Sequence, residues 1–224
     1  MLDQAQSDAL APVLKLVDDT IASLKRKTFE VDPIVDKRYS AIASIVSSAY
    51  KRHGRILEEA LAAALRRAPH LVVWSESEFA VSDAAERLAE TDDLSRDADL
   101  PYEPKNVKRR LQIDLIVFNK NNTRLGAYES KRGFGYHDSG KKRSMLRDLR
   151  CQQMLLRSYG KFKGYQPSDA VARMIFYYGQ CSLGKPWGLR GDDLDEHFQF
   201  PVKAWVEKVN EHFKRKLHDL LSTL

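Results

Sequence analysis

The stretch Leu111-Gln112-Ile113-Asp114-Leu115-Ile116-Val117-Phe118, followed across Asn119-Lys120-Asn121-Asn122 by a run ending in Tyr128-Glu129-Ser130-Lys131, decides how this chain is read. Ile, Val, Leu and Phe dominate Gln112 to Phe118, the composition of a strand covered on both faces. The asparagine-rich segment carries turn chemistry, so Thr123 to Lys131 becomes the returning strand of a hairpin. Side chains along a strand alternate with a period of two, which puts Glu129 and Lys131 on one face and Ser130 on the other. Two carboxylates and an amine at one sheet edge are costly to desolvate unless they bind something. Together they make a candidate metal site with a water-positioning group beside it, the arrangement that hydrolysis of a phosphodiester anion requires.

Asp114, a gap of 14 residues, and then Glu129-Ser130-Lys131 resembles the PD-(D/E)xK nuclease superfamily, with Ile113 where the family often has Pro. Upstream, Gly54-Arg55-Ile56-Leu57-Glu58 is similar to the Gly-x-x-x-Glu helix that precedes the sheet in many members. Downstream, Arg143 to Tyr159 reads as a helix and Val171 to Tyr178 as another apolar strand, completing the order helix, strand, hairpin, helix, strand. The resemblance implies an α/β fold with a restriction-endonuclease-like core, a central mixed β-sheet flanked by helices, and added N- and C-terminal helices. It implies a Mg²⁺-dependent deoxyribonuclease, with Mn²⁺ able to substitute, and restriction-type endonuclease cleavage is the expected form. A structure-selective repair or recombination nuclease, and a non-catalytic nucleic-acid-binding protein with a degenerate nuclease fold, are the alternatives. Carried onto this chain, Asp114 and Glu129 with the Ser130 carbonyl hold the metal. Glu58 completes a second metal position, and Lys131 orients water or offsets the developing charge. The Gln-x-x-x-Tyr pattern of many relatives is broken: Gln152 and Gln153 are present, but Leu156 and Arg157 fill the Tyr positions, so neither glutamine is assigned a role.

Charge placement points to the same region. Between Glu103 and Lys163 stand 16 Lys and Arg against 5 Asp and Glu, whereas the rest of the chain carries 21 against 26. A basic footprint around a carboxylate pair suits a polyanion such as DNA. Arg132, Lys141, Lys142 and Arg143, then Arg147 and Arg150 at helical spacing, are the expected DNA contacts. The loop Arg132 to Arg143 adds Phe134 and Tyr136, which can stack on bases, and glycines that allow close backbone approach. His137, a lone loop histidine, is read as a bystander rather than a base.

The 224 residues suffice for a sizeable core. The organisation expected is an N-terminal helical elaboration over 1–50, a nuclease core over 51–180, and a loop with a C-terminal amphipathic helix over 181–224 packed on the core. Asp3 to Phe29 shows helical spacing, Asp32-Pro33 suggests the next N-cap, and Ile34 to Tyr50 and Arg55 to Arg67 read as one bent helix or two, interrupted near His53-Gly54. Leu71 to Val81 reads as the first strand. Residues 83–110 read as an exposed excursion, and Gly184 to Asp193 as a Gly/Pro-punctuated loop whose Trp187 and Arg190 can reach nucleic acid. The stripe Val202, Trp205, Val206, Val209, Phe213, Leu217, Leu220 and Leu224 is read first as core packing and second as a homodimer seam. No apolar run reaches the roughly 18 residues of a membrane span, and no secretion signal is evident. With two cysteines, Cys151 and Cys181, read as reduced thiols, a cytoplasmic location is expected.

Overall fold

The computed structural model of the chain describes residues 4–91 and 98–224, and the chain divides into two compact units, 1–67 with 201–224, and 68–200. The acidic pair Asp92 and Asp93 of the expected excursion lies outside the described residues.

The first unit is helical. Helix α1 spans Gln4–Lys25, α2 spans Lys37–Leu65 and α6 spans Val202–Leu221, and each packs against the other two. Leu10, Val13, Val17, Ile21 and Leu24 recur every three or four residues and are buried, which is why the first segment forms an amphipathic helix. Asp36, not Asp32, caps α2, its carboxylate accepting the Tyr39 N–H at 3.0 Å. Asp32 instead closes a local turn by accepting the Ile34 N–H at 2.9 Å, so Pro33 precedes the helix rather than opening it. Of the two expected forms, one helix or two, α2 is one, and it runs through His53-Gly54 without interruption. His53 is buried and hydrogen-bonded at 3.0 Å to Asn210 of α6, and that tertiary tie outweighs the modest helix penalty of one glycine. The α6 stripe is buried from Val202 to Leu220 against α1 and α2, while Leu224 falls past the helix end and is exposed.

The second unit is built on a mixed five-stranded sheet flanked by helices. Its strands are β1 (Leu71–Val81), β2 (Arg109–Asn119), β3 (Arg124–Lys131), β4 (Asp169–Phe176) and β5 (Gly188–Arg190), in that spatial order. The first three are antiparallel, and β3–β4 and β4–β5 are parallel. Helix α4 (Ser139–Phe162) provides the crossover that a parallel β3–β4 pair needs. Its buried face, including Leu149, Met154, Leu155, Leu156 and Tyr159, meets Leu125, Ala127, Ala172, Met174 and Phe176 of the sheet in one core. Asp138 caps α4, accepting the Lys141 N–H at 2.9 Å, so Lys141 and Lys142 belong to the first helical turn rather than to a loop.

The segment expected to be an exposed excursion is partly structural. Ser82 caps a short helix α3 (Asp83–Ala89), which packs on α4 through buried Ala85 and Ala89. Tyr102 joins Phe79 and Tyr159 in an aromatic cluster and accepts the Ala80 N–H at 3.1 Å. The 184–193 loop likewise contains β5 and a 3-10 turn (Gly191–Asp193), followed by helix α5 (Leu194–Phe198). Cys151 is buried and Cys181 half-buried, both as free thiols. Among the described residues no helix is long and apolar enough to cross a membrane.

Immediately past β3 the backbone turns at Gly133, with φ of +66°, and a Cβ there would stand 2.9 Å from the Phe176 Cα. Neither condition suits an L side chain. Gly133→Ala is expected to destabilise the protein by about 1–3 kcal/mol in urea unfolding. Gly135→Ala, where a Cβ meets nothing within 4 Å, should leave the unfolding midpoint nearly unchanged.

Candidate active site

The hairpin delivers the two carboxylates as the sequence suggests. The β2–β3 ladder ends at the pair Leu115↔Tyr128, so Asp114 and Glu129 are the first residues beyond it on their respective strands. On its other edge β2 carries a bulge: Asp114 and Leu115 lie between partners Ile113 and Ile116, opposite the single residue Ser75 of β1. A bulge re-aims side chains and ends regular pairing, and such irregularities recur beside functional sites.

Glu129 is the centre of the arrangement. Its side chain is only 19% exposed and lies under α4, where the Gln152 amide donates to Oε1 at 3.3 Å. The Lys131 ammonium stands 3.7 Å from Oε2, as expected for residues two apart on one strand face. Burial raises the Glu129 pKa above the ordinary carboxylate value. Lys131 and the Gln152 hydrogen bond oppose that rise, and the negative charges of Asp114 and Asp148 add to it. Asp114 is half-buried and accepts from the Gln112 amide at 3.4 Å. Asp114 and Lys131 therefore each act electrostatically on Glu129 within the sheet unit. Glu58 belongs to the helical unit, a half-buried residue on α2. Ser130 is buried, its hydroxyl has no hydrogen-bond partner among the described residues, and its side chain points away from the Glu129 face.

Gln152 is the residue that sequence reasoning passed over. It is fully buried, gives its amide N–H to Glu129, and among the described residues its Oε1 has no partner. An orphaned acceptor this deep is unusual. Gln153 does a different job, clamping α4 to β4 by donating to the Ala170 carbonyl at 2.6 Å and accepting the Ala172 N–H at 2.8 Å. The broken Gln-x-x-x-Tyr pattern hid both roles.

The expected phosphate contacts separate into two groups. Lys141 and Arg143 are exposed, and Lys142 lies 5.9 Å from the Tyr136 ring. Arg132 packs on the Tyr178 ring at 5.7 Å. Phe134 and Tyr136 are 73% and 76% exposed, so the loop presents its aromatics to solvent. Arg147 and Arg150 instead have structural partners: Arg147 pairs with Glu86 at 3.4 Å, and Arg150 donates to the Ala89 carbonyl at 3.0 Å. With Arg143 they line a cleft of about 580 Å³ between α3 and α4. His137 is held by Ser182, whose Oγ lies 2.9 Å from Nδ1 and accepts the His137 backbone N–H at 3.1 Å. Burial and the nearby Lys131 charge lower its pKa.

Among the described residues, no three His, Cys, Asp or Glu side chains gather into a set that could hold a metal ion. Comparison with protein-family models, with curated proteins and with solved structures finds no match for this chain.

Because Glu129 holds its proton to higher pH when folded than when unfolded, the folded state binds more protons across the window above the ordinary carboxylate value of 4.5. Stability contributed by this group is therefore present below that value and lost as pH rises through the folded pKa. Glu129→Gln should raise the melting temperature at pH 7.5, and the gain should vanish at pH 4. Thermal unfolding across that range checks it; a variant less stable than wild type at pH 7.5 would show that the Lys131 contact outweighs burial.

Proposed function

We propose that the sheet unit is a metal-dependent nuclease of the restriction-endonuclease-like kind, cutting DNA by phosphodiester hydrolysis at Asp114, Glu129 and Lys131. One observation carries this reading: a buried carboxylate at the end of the β2–β3 ladder, fixed by Gln152 and Lys131 and acted on by the charge of Asp114. Such a group is unfavourable as an isolated anion and is stabilised when a cation joins it.

The donors suit a hard divalent ion. Asp114 and Glu129 supply carboxylate oxygens, and the Gln152 amide N–H holds one Glu129 oxygen in place. Mg²⁺ is commonly held by one or two carboxylates, its other positions going to water and substrate phosphate, and Mn²⁺ suits the same ligands. When bound, such an ion supplies Lewis-acid polarisation of the phosphate and a more acidic water. Lys131, on the Glu129 face, is placed to orient the attacking water or to offset charge gathering on the phosphate. Glu129 turns toward this work because Gln152 fixes one of its oxygens. Around the site, Arg132, Lys141, Lys142 and Arg143 would hold flanking phosphates, and Phe134 and Tyr136 would meet bases. Arg147 and Arg150, partnered with α3, line the cleft beside Arg143 and would meet phosphate there.

The full-length protein should nick or linearise plasmid in Mg²⁺ or Mn²⁺ and not in EDTA. Discrete bands from long DNA are expected for restriction-type double-strand cleavage, whereas preference for branched substrates would move the reading to a structure-selective nuclease. Asp114→Ala and Lys131→Ala should each lower the cleavage rate about 100-fold or more. Cleavage by these variants at the wild-type rate, or DNA binding without scission under every metal condition, overturns the assignment.

A further inference from the structure

The opposite face of the same sheet holds a second cleft, of about 430 Å³, that the nuclease reading leaves unused. Its lining includes Arg124, Arg173, Lys185, Asp193, Glu196 and His197. Arg173 pairs with Tyr128 in the β3–β4 register, so it stands on the sheet face away from Glu129, which pairs with Met174. The volume lies within the range of small-molecule sites.

Arg173 is the feature that asks for a ligand. It is half-buried, its Nε is shut off from solvent without a hydrogen-bond acceptor, and among the described residues it forms no ion pair. Its neighbour Arg124 is different, being paired with Asp169 at 2.7 Å. An arginine fork fixed on a strand and left without a carboxylate is prepared for an oxyanion, which it can grip through two parallel N–H groups. Lys185, exposed at the rim, adds a second uncommitted cation. The His197 ring that lines the cleft is held from behind by the buried Tyr128 hydroxyl, 2.7 Å from its Nε2. Burial, with the charges of Arg173 and Arg124, pushes the His197 pKa down to about 4, which keeps the ring neutral beside the guanidinium.

The remaining lining constrains the ligand. Asp193 and Glu196 are exposed carboxylates at the same cleft, unfavourable for a bare polyanion but good acceptors for hydroxyl groups. Carboxylates that receive sugar hydroxyls beside a phosphate subsite are a known solution for nucleotide binding. We propose that this cleft binds a small sugar phosphate of the nucleoside monophosphate type, its phosphate on Arg173 and Lys185 and its hydroxyls on Asp193 and Glu196. The site stands apart from the reacting groups on the other face and does not depend on their activity.

The test is titration of the full-length protein, without divalent metal, with inorganic phosphate, with AMP and with a short DNA duplex. The His197 ring resonances report binding, and calorimetry gives affinity. AMP is expected to perturb His197 and to bind at least tenfold more tightly than inorganic phosphate. Arg173→Gln should lose both ligands. Lys185→Gln, an exposed change that leaves the fold alone, should weaken both. Glu196→Gln should weaken AMP and spare phosphate. An unperturbed His197 with AMP at millimolar concentration, AMP binding no tighter than phosphate, wild-type affinity in Lys185→Gln, or a response to duplex DNA alone each overturns the proposal.

Discussion

The candidate site depends on one electrostatic constraint: a glutamate placed under a helix where water solvates it poorly. Packing α4 across β3 and β4 buries an apolar core and brings the Glu129 carboxylate into the same interface. Burial of this kind favours the neutral acid, and only partners can offset it. Lys131 comes from the same strand face, and Gln152 comes from the helix that causes the burial. The helix that imposes the cost therefore also supplies part of the compensation. Gln153, one residue on, fixes the helix against β4 and so fixes where Gln152 must stand.

A second network holds the middle of α4. Arg109, at the start of β2, pairs with Glu86 of α3 and Asp148 of α4, each at 2.7 Å, and Arg147 reaches the same Glu86. These are partly buried pairs that join three elements at one point, so their value lies in geometry more than in net stability. Cys151 sits against this network, its thiol 3.7 Å from the Ala85 carbonyl, and burial holds its pKa up at about 12. The thiol is an inert packing group there. Two of the arginines in the basic stripe, Arg147 and Arg150, thus also tie α4 to α3. A sequence stripe records which residues share a helix face; it does not record what already occupies that face.

That distinction explains what the chain's letters disclosed and what they withheld. Strand β1 was legible to the residue at Leu71–Val81, and the hairpin was legible because apolar runs and an asparagine turn are local signals. Helix α1 and the α6 stripe were legible from period alone, apart from Leu224. The α2 N-cap was misplaced by four residues, from Asp32 to Asp36, because both aspartates offer the same cap chemistry and only the turn geometry between them chooses. Gly54 misled because its helix cost is small beside the buried His53–Asn210 contact, whose partners are 157 residues apart. Helix α3 was hidden by its charge, since Asp83 and Glu86 read as solvent-facing until Lys108, Arg109 and Arg147 are seen to meet them. In the candidate site, Glu129 and Lys131 follow from strand parity, whereas Gln152 requires knowing how α4 lies on the sheet.

Strand β3 shows how far one short segment can be divided. Its alternate residues serve two environments: Glu129 and Lys131 face α4, while Tyr128 faces His197 and pairs in register with Arg173. Neither set can shift without the other, because a slip of one residue would exchange the faces and drive Glu129 toward His197. The parallel ladder from Arg124↔Asp169 to Lys131↔Phe176 forbids that slip along the strand's full length. Beyond Lys131 the chain keeps bonding alongside, with Lys131, Arg132 and Gly133 carbonyls accepting from Tyr177, Tyr178 and Gln180. The register that positions the carboxylate is therefore secured on both sides of it, and the basic, aromatic loop leaves the sheet from a fixed point next to the charged groups it would serve.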